Sequence, residues 1–413
     1  MAGITAARKL ARAQYSVAVL EARNRIGGRI MTLDEFCDGP VEGGAEFVHG
    51  RKAATLTEVH AAGLNLRGTY QMRRTAFNLD GATRWLPLAC LHPGTWACAG
   101  MRGKIARSEP PDLSAREFID KHGYKGRARQ LTEMTFLQHL PGSADDVGVL
   151  GLVDDGVLDL QTRYNQRIIE GYGSLPRSMA DGLDIRLNSN VEAIIWDADK
   201  VRIRLDEGHE LEARAVISTL PVGVLKSNAV RFEPALPETK QWAISQIEVG
   251  PIIKILMQFQ EGFWPRWMEM AACATGPVNL YWSVFRNVKE RPPVLTGYCI
   301  GPRAAELSGE SDERAIEIVM ADLQRLFPKA APHRALVNYR LVNWGKDPFA
   351  GGGYSYLRPG ARGARESLRA TDTGALFWAG AGTESQPVSE LVETAYLSGL
   401  RAAAEASAYL ETP

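Results

Sequence analysis

The sequence predicts an α/β fold: a parallel sheet wound with helices, assembled from separated stretches of chain and interleaved with an α+β domain. Three observations predict it. Helix and strand patterns alternate at both ends of the chain. A long stretch between them has a different pattern, as an inserted second domain would. The 413 residues also exceed the roughly 250–300 at which a single core stops growing.

The elements follow in order. Ile4 to Gln14 is rich in Ala, Arg, Lys and Leu at helical spacing. Ser16 to Glu21 is a short apolar run ending in an acid, as a parallel strand reads. Residues 53–165 have a mostly helical pattern, broken at Pro87, Pro93, Pro110-Pro111 and Pro141-Gly142. Ile185 to Leu220 alternates as strands, and Val249 to Phe259 reads as another. Glu313 to Phe327 is an amphipathic helix. Phe377 to Ala381 is a strand, and Ser389 opens a long Ala/Leu-rich helix to about Leu410.

Composition narrows the function. Lys+Arg and Asp+Glu both number 48, so the formal charge is zero and the basic excess of a nucleic-acid binder is absent. Cys37, Cys90, Cys98, Cys273 and Cys299 are scattered and form no C-x-x-C pair. That pattern argues against a disulfide framework or a metal site and suits a reducing, cytoplasmic setting. No run reaches the ~18 apolar residues of a membrane helix.

The start of the chain carries the first motif. A dinucleotide fingerprint reads G-x-G-x-x-G after a strand, then a helix, a second strand and an acid. Met1-Ala2-Gly3 supplies only its last x-x-G, so we expect the first strand and two glycines to be lost by truncation, leaving an open slot in the sheet. Glu21 follows Gly3 by 18 positions, close to the spacing of about 20 at which such a fold places its ribose-binding carboxylate. A solvated strand-end acid would read the same way. In Glu21-Ala-Arg-Asn-Arg-Ile-Gly-Gly-Arg29, the Gly27-Gly28 doublet lets backbone approach a diphosphate and Arg29 offers a forked donor set. A basic surface turn is the alternative.

This E-x-R-x-R-x-G-G-R run closely resembles the flavin-containing amine oxidases, a group that includes monoamine, polyamine and L-amino-acid oxidases and histone demethylases. The resemblance extends over nearly the whole chain. It implies a Rossmann-like FAD-binding domain of residues 1–52, 166–232 and 350–413, and an α+β substrate-binding domain of residues 53–165 and 233–349. Gly3, Glu21, Ala22, Arg23, Gly28 and Arg29 would then hold the nucleotide. Gly43-Gly-Ala-Glu-Phe-Val-His-Gly50 resembles the segment beneath the flavin ring, with Gly44, Ala45 and Glu46 against the cofactor and His49 facing substrate. Asn190-Val191 resembles the strand whose Val backbone holds the adenine.

Lys254 is the sharpest catalytic candidate. In a strand it shares a face with Ile252, Leu256 and Gln258, so it lies at an edge or is buried for a reason. The resemblance makes it the lysine that holds a water against the flavin N5 and assists reoxidation by oxygen. Trp344 would pack by the flavin and Tyr354 would wall the substrate cage. Gly380, Ala381, Leu391 and Val392 would meet the flavin where a helix N-terminus stabilises developing negative charge. Three positions depart from the pattern: Ala381 loses a cofactor hydrogen bond, Thr394 replaces a glycine, and Leu391 replaces a second cage tyrosine.

The activity implied is removal of a hydride from the carbon beside a neutral amine, polyamine-like or other. The imine hydrolyses to a carbonyl, and O2 is reduced to H2O2. The alternatives are an L-amino-acid oxidase or other flavin enzyme of this fold, and a degenerate scaffold without catalysis. An NAD enzyme suits the Gly-Gly-Arg and C-terminal segments less well.

Overall fold

The computed structural model describes residues 1–69, 74–79, 81–85, 91, 96, 100–137, 140–156, 164–197, 200–206, 208–371, 374–385 and 390–412. The N-terminal helix, Ala2–Arg12, buries Ala2, Ile4, Ala6, Ala7 and Leu10 on one stripe. That stripe lies along the C-terminal helix Val392–Glu411, which buries Gly399, Ala402, Ala403 and Ala406. Small residues on both helices allow the close approach. A Cβ on Gly399 would stand 2.4 Å from the Ala2 carbonyl oxygen.

Ala18–Leu20 pairs in parallel with Asp184–Arg186. Val216–Ser218 pairs in parallel with Leu376–Trp378. Among the described residues these two parallel pairs are not hydrogen-bonded to each other, so the expected sheet stands in two halves. Tyr15–Leu20 on one side and Ala215–Leu220 on the other line a common cavity. An antiparallel layer, Val191–Trp196, Val201–Leu205 and Glu210–Ala213, closes this side of the molecule.

The other half is a seven-stranded sheet in the order Leu336–Asn343, Ile252–Phe259, Val294–Ile300, Leu280–Ser283, Met270–Cys273, Thr75–Leu79, Ala82–Trp85. One face packs on the helix Asp312–Leu326 through Ile253, Ile255, Met257, Val319 and Leu323. That helix starts where Ser311 accepts the Arg314 N–H, a side-chain N-cap. The opposite face turns toward the cavity.

The helical reading of residues 53–165 holds for Thr55–Ala61, Met101–Ala106, Ala115–Lys121, Gly126–Leu137 and Val149–Asp154. It fails at Leu66–Thr69, Thr75–Leu79 and Ala82–Trp85, which are strands. Thr75–Leu79 is recruited by Met270–Cys273, nearly two hundred positions away, and no local periodicity reports such a partner. Pro87 and Pro93 lie outside the described residues.

Candidate active site

One cavity of about 1550 Å³ runs from the gap between the two parallel pairs to the face of the seven-stranded sheet. It exceeds the roughly 300–1,000 Å³ of a pocket for a drug-sized ligand, which leaves room for more than one small molecule. Every residue proposed above to touch the cofactor or the substrate lines it, from Gly3 and Glu21 at one end to His49, Lys254, Trp344 and Tyr354 at the other. Ala22, Arg23, Gly28, Arg29, Gly44, Ala45, Glu46, Val191, Gly380, Ala381, Leu391 and Val392 lie between.

At the first end, the Ala2–Arg12 helix presents its N-terminus to the cavity, where unpaired backbone N–H groups favour an anion. Glu21 stands at the end of its strand and accepts the Arg23 N–H at 3.0 Å. Arg23 is held by Asp347 at 2.5 Å, which turns its guanidinium toward the Trp344 loop. Gly28 adopts φ +61°, and a Cβ there would meet nothing within 4 Å, so its backbone is open to a ligand. Arg29 donates to the Gly353 carbonyl and, at 2.7 Å, to Glu390. Burial opposes the charge of Glu390, but Arg29, Arg365 and the Ser355 hydroxyl hold its carboxyl below the usual range.

At the second end, the strand Ile252–Phe259 carries Lys254 inward, only 4% exposed. Its ammonium donates to the Glu42 carbonyl at 2.6 Å, the Gly44 carbonyl at 3.0 Å and Glu46 Oε2 at 2.9 Å. All three protons thus have protein acceptors, and a water at this nitrogen must displace one of them. Glu46 also accepts from Arg167 Nε at 2.9 Å and Trp282 Nε1 at 2.9 Å. Burial works against its charge, yet Lys254 and Arg167 hold its carboxyl below the ordinary value. The sequence placed the Glu46 backbone beside a cofactor; its side chain is the centre of a buried ion cluster that no motif announced.

Trp344 is buried and fixed by an Nε1–H bond to the Gly43 carbonyl at 2.9 Å. Tyr354 hydrogen-bonds Tyr298, and burial raises both phenols. His49 Nδ1 lies 2.8 Å from Asn165 Oδ1; the amide oxygen accepts, so that nitrogen carries the proton. The Val392–Glu411 helix points its N-terminus into the cavity between the two ends. Thr394 accepts the Leu391 N–H at 3.2 Å, a cap that glycine could not provide. Ser398 accepts the Gly380 N–H at 2.9 Å and ties the helix to the loop after Leu376–Trp378.

Sequence reasoning missed Arg167, Trp282, Tyr298, Arg365, Asp155 and Glu390. Arg365 is fully buried and reaches Asp155 at 2.6 and 2.9 Å and the Ser355 hydroxyl at 2.8 Å. No short motif encloses these residues. No local signal was available, because Arg167, Arg365 and Glu390 meet Glu46, Asp155 and Arg29 only across long stretches of chain.

The sequence profile of the flavin-containing amine oxidoreductases matches residues 1–84 and 151–407. Polyamine oxidase 2 of Arabidopsis thaliana is 30% identical over 97% of this chain and 85% of its own length. Polyamine oxidase 4 of Oryza sativa subsp. japonica is 29% identical over 98% of the chain and 86% of its own length. Among solved structures, wild-type putrescine oxidase bound to putrescine aligns with a TM-score of 0.86 at 20% identity, covering 98% of this chain and 97% of that one. Cyclohexylamine oxidase from Brevibacterium oxydans aligns with a TM-score of 0.86 at 19% identity over 99% and 97%. At these identities the structural likeness speaks for the fold.

Proposed function

The chain belongs to the flavin-containing amine oxidoreductases, and on that premise we propose that it oxidises a small amine to an imine, with dioxygen as the terminal acceptor and hydrogen peroxide as co-product. It is an FAD-dependent amine oxidoreductase; the acceptor and the peroxide are the proposal. One observation carries it: a single cavity joins a nucleotide-holding end to an apolar, aromatic end with a buried lysine.

The residues present suit FAD. We assign Glu21 to the ribose hydroxyls, the open backbone at Gly28 and the helix N-terminus to the diphosphate, and the Val392 N–H to the far edge of the ring system. Val191, Ala22 and Arg23 would border the nucleotide, and Gly44, Ala45, Gly380 and Ala381 the ring. When bound, FAD supplies the two-electron acceptor, and the protein contributes orientation, exclusion of water and charge. Tyr354, Trp344 and His49 line the reacting end and would hold an amine in an apolar slot. Lys254 sets a fixed positive charge there, where it stabilises negative charge as it develops.

We divide the chain functionally as residues 1–52, 166–232 and 350–413 for the cofactor and 53–165 and 233–349 for the substrate. Cys37, Cys273 and Cys299 are free thiols, which supports a reducing, cytoplasmic setting. No helix among the described residues is long and apolar enough to cross a membrane. The test of the reading is amine-dependent oxygen uptake with one peroxide formed per oxygen. Bleaching of the flavin by amine with no oxygen uptake would contradict the choice of acceptor.

A further inference from the structure

The seven-stranded sheet gives the substrate a floor whose composition can be read residue by residue. Lys254 faces Tyr298 across the strands, Tyr298 faces Leu280, Leu280 faces Ala272, and Ala272 faces Phe77. All five line the cavity. With neighbouring strands roughly 4.8 Å apart, this row spans about 19 Å from the lysine outward. The next row on that face brings Trp282, Met270 and Thr75 to the cavity. Among these cavity-lining residues the only charge is the lysine's own.

The acids that line the cavity among the described residues are Glu21, Glu46, Glu212 and Glu390. Glu46 already carries Lys254, Arg167 and the Trp282 N–H. Glu390 is paired with Arg29. Glu21 is at the nucleotide end, and Glu212 lies on the Glu210–Ala213 strand of a different sheet. Two of the aromatic faces that could hold an ammonium instead are already shared with protein cations. Lys254 Nζ sits 5.2 Å from the Trp282 ring centroid, and the Arg167 guanidinium 4.7 Å from that of Phe47. A second ammonium over this floor would be desolvated without a counter-ion among the described residues, at a cost of several kcal/mol.

We infer that the substrate is a monoamine with an apolar tail, its single amino group neutral at the reacting end and the tail lying along the Tyr298–Leu280–Ala272–Phe77 row, and that diamines and polyamines are excluded. The inference rests on the oxidase reading above and narrows its substrate. It sets this chain apart from its named plant relatives on the charge of its own cavity.

The test uses the flavin-loaded full chain and two amines with the same six-carbon chain, hexylamine and its α,ω-diamine. Anaerobic flavin reduction is followed against amine concentration, and thermal stabilisation by each amine is measured in the same preparation. The second-order constant for hexylamine is expected to exceed that for the diamine by roughly 100-fold, and hexylamine alone is expected to raise the melting temperature. Equal or greater rates with the diamine overturn the inference while leaving the oxidase reading intact. Failure of both amines to reduce the flavin overturns that reading, and the inference with it. Phe77→Asp, on a half-buried position, places a carboxylate in the row and is expected to raise the diamine-to-monoamine ratio at least about tenfold. An unchanged ratio contradicts the path assigned to the tail.

Discussion

Two carboxylates beside Lys254 behave in opposite ways, and the difference is a matter of partners. Glu46 meets two cations and stays charged below its ordinary pKa. Glu42 is as deeply buried, but its side chain meets only the Tyr172 N–H at 2.7 Å and the Thr32 hydroxyl at 2.7 Å. Burial therefore pushes its carboxyl up to about 7. An acid raised in the folded state favours folding most below its unfolded pKa, near 4.5, and loses that advantage as pH climbs to 7. Glu42→Gln keeps an acceptor for Tyr172 and has no charge to bury. Relative to wild type it is expected to gain up to about 3 kcal/mol in stability between pH 4.5 and pH 8. Urea unfolding at both pH values checks this, and a difference that does not vary with pH contradicts it. For Lys254→Met, flavin reoxidation is expected to slow by roughly 100-fold or more, because a fixed charge leaves the reacting end. Stopped-flow mixing of reduced protein with oxygen measures it, and an unchanged rate would remove Lys254 from the chemistry. Lys254 was legible because a charged residue inside Pro-Ile-Ile-Lys-Ile-Leu-Met stands out. Its bond to Glu46 spans 208 positions and leaves no trace in local pattern.

At the scale of elements, the ends of the chain were the readable part. The helix expected over Ile4–Gln14 is Ala2–Arg12, and the long helix expected from Ser389 begins at Val392. Both have apolar stripes strong enough to show in sequence. The floor of the substrate chamber was harder to read. Val294–Ile300 and Leu280–Ser283 are buried on both faces, so alternation is absent and only pairing defines them. The contact between the terminal helices also governs the site, since the helix N-terminus at the first end of the cavity and the one between the two ends both depend on it. Gly399→Ala drives a Cβ into the Ala2 carbonyl and must displace one helix. The expected cost is about 1–3 kcal/mol, with weaker FAD retention. Chemical denaturation and the flavin-to-protein absorbance ratio measure the two effects together; wild-type values for both would show that the helices do not position the site.

The whole molecule is held around its cavity by buried charge as well as by apolar packing. Asp155, Arg365, Ser355, Glu390 and Arg29 form a chain of contacts from the helical middle of the sequence to the glycine-arginine loop. Removing Arg365 leaves Asp155, 1% exposed, without its cation. Arg365→Met is therefore expected to cost about 3–5 kcal/mol, read from the urea midpoint. The double variant with Asp155→Leu should recover most of it, because the stranded charge is then gone too; no recovery would contradict the pairing. This network was invisible in the sequence because its members lie far apart in the chain and meet only in the fold. Residues 21–29, compressed into one motif, were the most legible part of the candidate site, and Glu21, Arg23, Gly28 and Arg29 all line the cavity.

The most direct test is the colour of the purified protein and its response to amine. The account predicts flavin absorbance near ~450 nm that an apolar monoamine bleaches without oxygen and air restores. A protein that binds no FAD, or whose bound FAD no amine can reduce, would contradict it.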